Sequence, residues 1–209
     1  MPSCCSLPVN PDDELAVALP PAFAQRLREL YGLKRSPKDL NELITLRREA
    51  GRVWLLSSAE LLVSSTPTRH VVWLKGKRLY VHCALDALMY PLITGQDAEI
   101  QSRCPICNQL LGAAVRKGEI VSWAPQGAVL WLGVSAQHEA CGTSASDFNT
   151  IRECVCPFIN LFDFEEHLKS WQAKNAQVLG VKLSLPEAFA LAKGLCRSAE
   201  EEASTSSQA

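Results

Sequence analysis

The sequence predicts an α+β fold: a small helical N-terminal part, then a mixed, largely antiparallel sheet domain with flanking helices. Three observations lead there. Apolar residues recur at helical spacing between positions 21 and 50, and again after 163 and 186. Short runs rich in β-formers fill most of 70–134. The turns between them, at Lys75-Gly76, Lys117-Gly118 and Pro125-Gln126-Gly127, are too short for parallel crossovers. At 209 residues, 47% hydrophobic and 21% charged, the chain can form one ordinary domain with a small appended part. The expected division is 1–69 as an N-terminal helical region, 70–199 as the main domain and 200–209 as a disordered tail.

Residues 1–20 carry prolines and acids and lead in without much structure. Pro21 to Leu33 reads as a helix, with Phe23, Leu27 and Leu30 on one face. Ser36 and Pro37 supply an N-cap and an N1 proline for a second helix, whose face of Leu40, Leu43 and Leu46 runs to Gly51. From Val53 the pattern turns toward strands, and His70–Leu74 with Arg78–Val81 forms a hairpin. A helix opens at Cys83 and ends between Pro91 and Gly95. Strands follow at 98–102, 110–115, 120–123 and 129–134, then a long polar loop over 135–150. Phe158 to Phe162 reads as a buried strand. Asp163 with Glu166 reads as the capping box of a helix carrying Phe164, Leu168 and Trp171 on one side. Val178–Leu183 is a last strand. Pro186 starts a final helix with Cys196 on its apolar face.

A net charge of −1 gives no electrostatic reason to expect nucleic acid or an anionic membrane as partner. No apolar run reaches the ~20 residues that span a bilayer, and the start Met1-Pro2-Ser3-Cys4-Cys5 lacks the features of a secretory signal. A cytoplasmic protein is expected. Nine cysteines are many for such a chain. In a reducing compartment they point to metal binding or thiol chemistry rather than to a disulfide framework.

Two sulfur features stand out. Cys83 follows the strand Arg78–Val81 and opens a helix, where unpaired backbone N–H groups favour a thiolate. Asp86, three residues on, shares its face and is placed to carry a proton. Taken singly, Cys83 also fits a small buried residue, and Asp86 a first-turn acid favoured by the helix dipole. The second feature is Cys104-Pro105-Ile106-Cys107, a zinc-knuckle spacing that supplies two of the four ligands zinc needs. His138 and Cys141 of the long loop, or Cys154 and Cys156, are candidates for the other two. A redox pair and a pair of unliganded thiols are the competing readings.

From about Arg78 to Gly194 the chain resembles the organomercurial (alkylmercury) lyase family. The matching stretches are Leu79-Tyr80 through Cys83-Ala84-Leu85-Asp86-Ala87-Leu88, Pro91-Leu92-Ile93-Thr94-Gly95, and Cys104 after a strand. Further on come Cys156, Asn160-Leu161-Phe162 with Trp171 behind it, and Pro186-Glu187-Ala188-Phe189 with Gly194. The resemblance implies cleavage of a carbon–mercury bond by two cysteines and an aspartate. It assigns these roles to Cys83, Asp86 and Cys156, the last because an ungapped count back from Trp171 lands on it rather than on Cys154. Mercury is very soft, so thiolates outcompete oxygen and nitrogen for it. Two sulfurs push electron density onto the attached carbon, which then takes a proton from Asp86. The hydrocarbon leaves and Hg(II) stays on sulfur.

The resemblance further implies an organomercurial or related soft-metal substrate, no catalytic cofactor, low-molecular-weight thiols for product release and a mercuric reductase as possible recipient. It implies a winged-helix-like domain over the active site, and residues 1–69 match that domain little. His82 stands where the family has tryptophan, and Cys107, His138 and Cys141 are additions. These additions suggest a structural zinc on Cys104, Cys107, His138 and Cys141. The rival set, Cys104, Cys107, Cys154 and Cys156, would consume a catalytic thiol. It belongs with the alternative function, a zinc- or soft-metal-binding protein on the same scaffold without lyase activity.

Overall fold

The computed structural model describes residues 15–50, 59–136 and 152–206, the stretch 197–206 by its backbone alone. Among the described residues, eight strands form two antiparallel sheets. The first has the order β2-β1-β3-β4-β5, from β1 (His70–Leu74), β2 (Lys77–Val81), β3 (Ala98–Arg103), β4 (Leu110–Arg116) and β5 (Glu119–Ala124). The second has the order β7-β6-β8, from β6 (Val129–Ser135), β7 (Asn160–Phe162) and β8 (Val178–Ser184). The two tight hairpins turn as their sequences require, through Lys75 and Gly76 at φ 48° and 78° and Lys117 and Gly118 at φ 51° and 74°. The α+β class and the strands at 70–81, 98–134 and 178–184 agree with the sequence reading.

Helix α1 (Pro21–Tyr31) buries Phe23, Leu27, Leu30 and Tyr31 and ends on Gly32 at φ 59°. Its buried Arg26 donates from Nε to the Ser135 carbonyl at 3.0 Å, fastening the N-terminal part to the end of β6. Helix α2 (Leu40–Glu49) is capped by Asp39, which accepts from the Glu42 amide at 2.8 Å, and not by Ser36. Ser36 instead bonds to Gln25 of α1. An acid directly before the helix outcompetes a serine three residues upstream for the free amides. The strand signal expected from Val53 falls partly on 51–58, outside the described residues.

Helix α3 (Ala84–Thr94) runs through Pro91, which lies near its end, and is buried along most of its length. Helix α4 (Glu165–Lys174) follows β7, and α5 (Leu185–Ser206) packs along α3, with the buried Cys196 facing the Met89 carbonyl. The backbone of α5 is helical to Ser206, beyond the tail boundary expected at Glu200. At Gly194 this helix meets the N-terminal part closely, Ile44 Cδ1 of α2 lying 2.5 Å from where a Cβ would stand.

Two segments differ from expectation. Only Asn160–Phe162 is strand in the run from 158; Cys156–Phe158 is a 3-10 turn begun by Pro157. The helix after it has Phe164 rather than Asp163 at its N-cap, so no Asp163–Glu166 capping box forms. Phe164 is half exposed, leaving Leu168 buried and Trp171 edge-on to Phe162 at 5.8 Å.

Gly180 of β8 faces Gly133 of β6, and the Trp131 indole lies against both. A Cβ on Gly180 would meet the Leu132 carbonyl and stand 2.7 Å from that ring. Backbone cannot yield as a flexible side chain does, so Gly180→Ala is expected to cost about 2 kcal/mol or more. Urea denaturation of the variant checks this.

Candidate active site

Cys83 is the N-cap of α3. The Asp86 amide donates to Cys83 Sγ at 3.4 Å, and the Cys83 amide donates to Asp86 Oδ2 at 3.1 Å. A cysteine and an aspartate thus build the reciprocal capping box that serine and glutamate usually make. The next amide, Ala84 N–H, donates to the Ile159 carbonyl at 3.1 Å. That bond joins the helix start to the segment carrying Cys156, whose thiol lies beside that of Cys83. One ligand atom from each of Cys83, Asp86 and Cys156 lies within 4.8 Å of the others, and all three residues are buried. The structure therefore brings together the three residues singled out for the reaction.

The electrostatics differ from the sequence reading in one respect. The helix start alone favours a Cys83 thiolate, yet the thiol's pKa is raised well above its ordinary value. Burial is the largest cause, followed by the hydrogen bond with Cys156 and the charge of Asp86; the Asp86 amide opposes them and loses. Burial likewise pushes the Asp86 carboxyl up to about 7, against the lowering effect of its bonds to Cys83. The site thus holds a protonated thiol beside a carboxyl poised to exchange protons near neutrality.

Cys156 also lines a cleft of about 410 Å³, with Ser64, Thr66, Thr68, His82, Arg152, Glu153 and Pro157. The pKa of His82 is lowered, first by partial burial and then by the charge of Arg152. From the N-terminal part, α1 delivers Tyr31, which the sequence reading did not single out. Its phenol pKa is raised, chiefly by burial; Arg47, stacked 4.5 Å over the ring, opposes this, while the charges of Cys156, Cys83 and Asp86 add to it. Tyr31 of the N-terminal part therefore lies near enough to the site to feel its charges. In sequence Tyr31 looks like one more member of the apolar face of α1.

The remaining sulfurs separate from this cluster. Cys104 and Cys107 lie with Asp163 and His167, again within 4.8 Å of one another. His138 and Cys141 lie outside the described residues. Cys154 is disulfide-bonded, contrary to the expectation of free sulfurs only, and Cys156 groups with Cys83. A Cys104, Cys107, Cys154, Cys156 metal set is thereby excluded. Cys4 and Cys5 also lie outside the described residues.

A family model described as alkylmercury lyase, MerB, matches residues 63–197, a span that holds both clusters. The chain belongs to the alkylmercury lyase family. Curated relatives agree: an alkylmercury lyase of Bacillus cereus is 28% identical over 127 residues, covering 61% of this chain and 53% of the relative. One from Staphylococcus epidermidis is 28% identical over 141 residues, covering 66% and 59%. One from Pseudomonas putida is 51% identical over 37 residues, 18% of each chain. The chain spans about half the length of the first of these relatives. The fold is similar to a crystal structure described as the mercury-bound form of MerB2, with a TM-score of 0.53 at 20% identity, covering 87% of this chain and 93% of that one. Among the described residues no helix is long and apolar enough to cross a membrane.

Proposed function

We propose that this family member is a carbon–mercury lyase working by protonolysis, with Cys83 and Cys156 as mercury ligands and Asp86 as the proton carrier. The observation that carries the reading is the buried meeting of two thiols and a carboxyl with a raised pKa, one thiol facing a cleft. A soft metal prefers thiolates to the harder donors around it.

The electron and proton balance closes without a cofactor. Cys156, the sulfur on the cleft, displaces the substrate's weakly held ligand, and its own proton leaves with that ligand. Cys83 then adds to the mercury as its proton passes to the Asp86 carboxylate. The carbon–mercury bond breaks with its electron pair on carbon, which takes the proton from Asp86. Hydrocarbon departs, Asp86 is again a carboxylate, and Hg(II) is held by two sulfurs. Two molecules of a small thiol carry the metal away and return protons to Cys83 and Cys156. A reducing, thiol-rich cytoplasm suits this cycle, and a mercuric reductase is a fitting recipient.

Incubation with phenylmercury and excess thiol tests the reading. Benzene and Hg(II) are expected in equal amounts over many turnovers, and no more than one turnover per chain when thiol is withheld. Tight mercury binding without benzene would instead identify a soft-metal-binding protein on the lyase scaffold.

A further inference from the structure

The second cluster belongs to no step of that reaction. We propose that Cys104, Cys107, Asp163 and His167 hold one structural zinc ion that clips the β3–β4 turn to the end of β7 and the start of α4. The site stands independently of the lyase reading.

The four donors are of the types zinc takes, two sulfurs, an imidazole nitrogen and a carboxylate oxygen. They come from two segments. Cys104 and Cys107 flank a tight turn in which the Cys104 amide donates to the Gln109 carbonyl at 3.0 Å and the Asn108 amide to the Cys104 carbonyl at 3.0 Å. Asn108 takes φ 62° to close it, and the Gln109 amide points at Cys107 Sγ from 3.4 Å. Asp163 and His167 are four apart across the start of α4, and so project to one side.

The donors lie close enough together to take one ion after small side-chain adjustments. Tetrahedral zinc with bonds of about 2.0–2.3 Å needs donors roughly 3.3–3.8 Å apart. Cys107 Sγ lies 3.1 Å from Asp163 Oδ2, and Cys104 Sγ 3.9 Å from His167 Nδ1. The Asp163–His167 contact, 2.5 Å, must widen by roughly 1 Å, within reach of a χ rotation. Cys104 and Asp163 are buried while Cys107 is exposed and His167 partly so, which leaves the ion an entry path from solvent. Four protein ligands leave no open position, so the role is structural. Mercury, which is satisfied by two thiolates, has no use for the imidazole and carboxylate.

The clip acts where the fold needs it. Besides this cluster, β7 is tied to the first sheet through buried His70, which bonds Ser102 at 2.8 Å and interacts with Asn160. Asp163 ends the short segment whose other end carries Cys156.

Metal analysis of the purified full chain, together with cobalt titration of the metal-stripped protein, tests the proposal. About one zinc per chain is expected, with the tetrahedral cobalt spectrum and its thiolate charge-transfer band. Cys107→Ser and His167→Ala should each lower zinc affinity at least tenfold, whereas a Cys83→Ser, Cys156→Ser double variant should keep it. Zinc removal should lower the Tm of the wild type by several degrees and that of His167→Ala by less. No zinc or cobalt uptake by wild type, or uptake lost with Cys83 and Cys156 but kept without Cys107 and His167, would overturn the site. If either variant fails to fold, the cobalt spectrum of the wild type decides: lack of a thiolate band counts against the proposal.

Discussion

Replacing Cys83 by serine is expected to reduce hydrocarbon release from phenylmercury by at least about a thousandfold while the protein stays folded. The two halves of this outcome have separate causes. Activity goes because a hydroxyl is a poor ligand for a soft metal, leaving mercury on Cys156 alone with its carbon insufficiently charged to take a proton. Stability stays because residue 83 caps α3, and serine is a better cap than cysteine: its oxygen accepts from the Asp86 amide, and Asp86 still accepts from residue 83. Cys83→Ala would confuse the two effects, since it also loses the cap, at about 1 kcal/mol. Benzene release and thermal unfolding, measured on the same preparations, give both readouts.

Asp86→Asn is expected to slow turnover at least about a hundredfold, the range for removing a positioned acid–base group. It should also change how stability depends on pH. The folded-state pKa of Asp86 is raised to about 7 from 3.8, so its stabilising contribution is complete below pH 3.8. It is lost as pH rises through about 7, because the ionised form is favoured in the unfolded chain. Relative to Asp86→Asn, the wild type should therefore weaken between pH 4 and pH 7, by on the order of 4 kcal/mol, and run parallel above that. The comparison must be between the two proteins at each pH. His70, lowered to about 3 by burial and then by Arg69, acts in the opposite direction, losing stability as pH falls from 6.5 through 3. That contribution is common to both proteins and cancels. Urea unfolding at pH 5 and pH 8 suffices, and equal pH dependence in both proteins would contradict the raised pKa of Asp86.

Different parts of the site were legible in the sequence for different reasons. Cys83 and Asp86 are three residues apart on one helix start, so their meeting is a local fact that spacing reveals. Cys156 is not local to them; its placement came from the resemblance to a family, and the fold supplies the contact through the Ala84–Ile159 bond. The Cys104–Cys107 turn was legible, but its neighbours were not. Asp163 and His167 have the spacing of ordinary helix-start residues, and Asp163 was read as a cap. The long loop carries more conspicuous zinc-ligand types, His138 and Cys141. Tyr31 was hidden for a similar reason, since an aromatic on the apolar face of α1 looks like core until tertiary packing brings the site's charges near it. Strand and hairpin positions were set by local turn chemistry and agree well. The N-cap of α2 and the short β7 depended on competition between neighbouring residues, which pattern alone does not rank.

A single turnover would reveal whether Cys83 and Cys156 together hold the mercury whose carbon is protonated. One equivalent of phenylmercury is added to reduced protein without free thiol, benzene is quantified, and the mercury left on the protein is examined by X-ray absorption. Close to one benzene per chain is expected, with mercury bound by two sulfurs and no carbon neighbour, both lost in a Cys83→Ser, Cys156→Ser double variant. Mercury that keeps its carbon on the wild-type protein, or benzene released equally by the double variant, would contradict this shared role of Cys83 and Cys156.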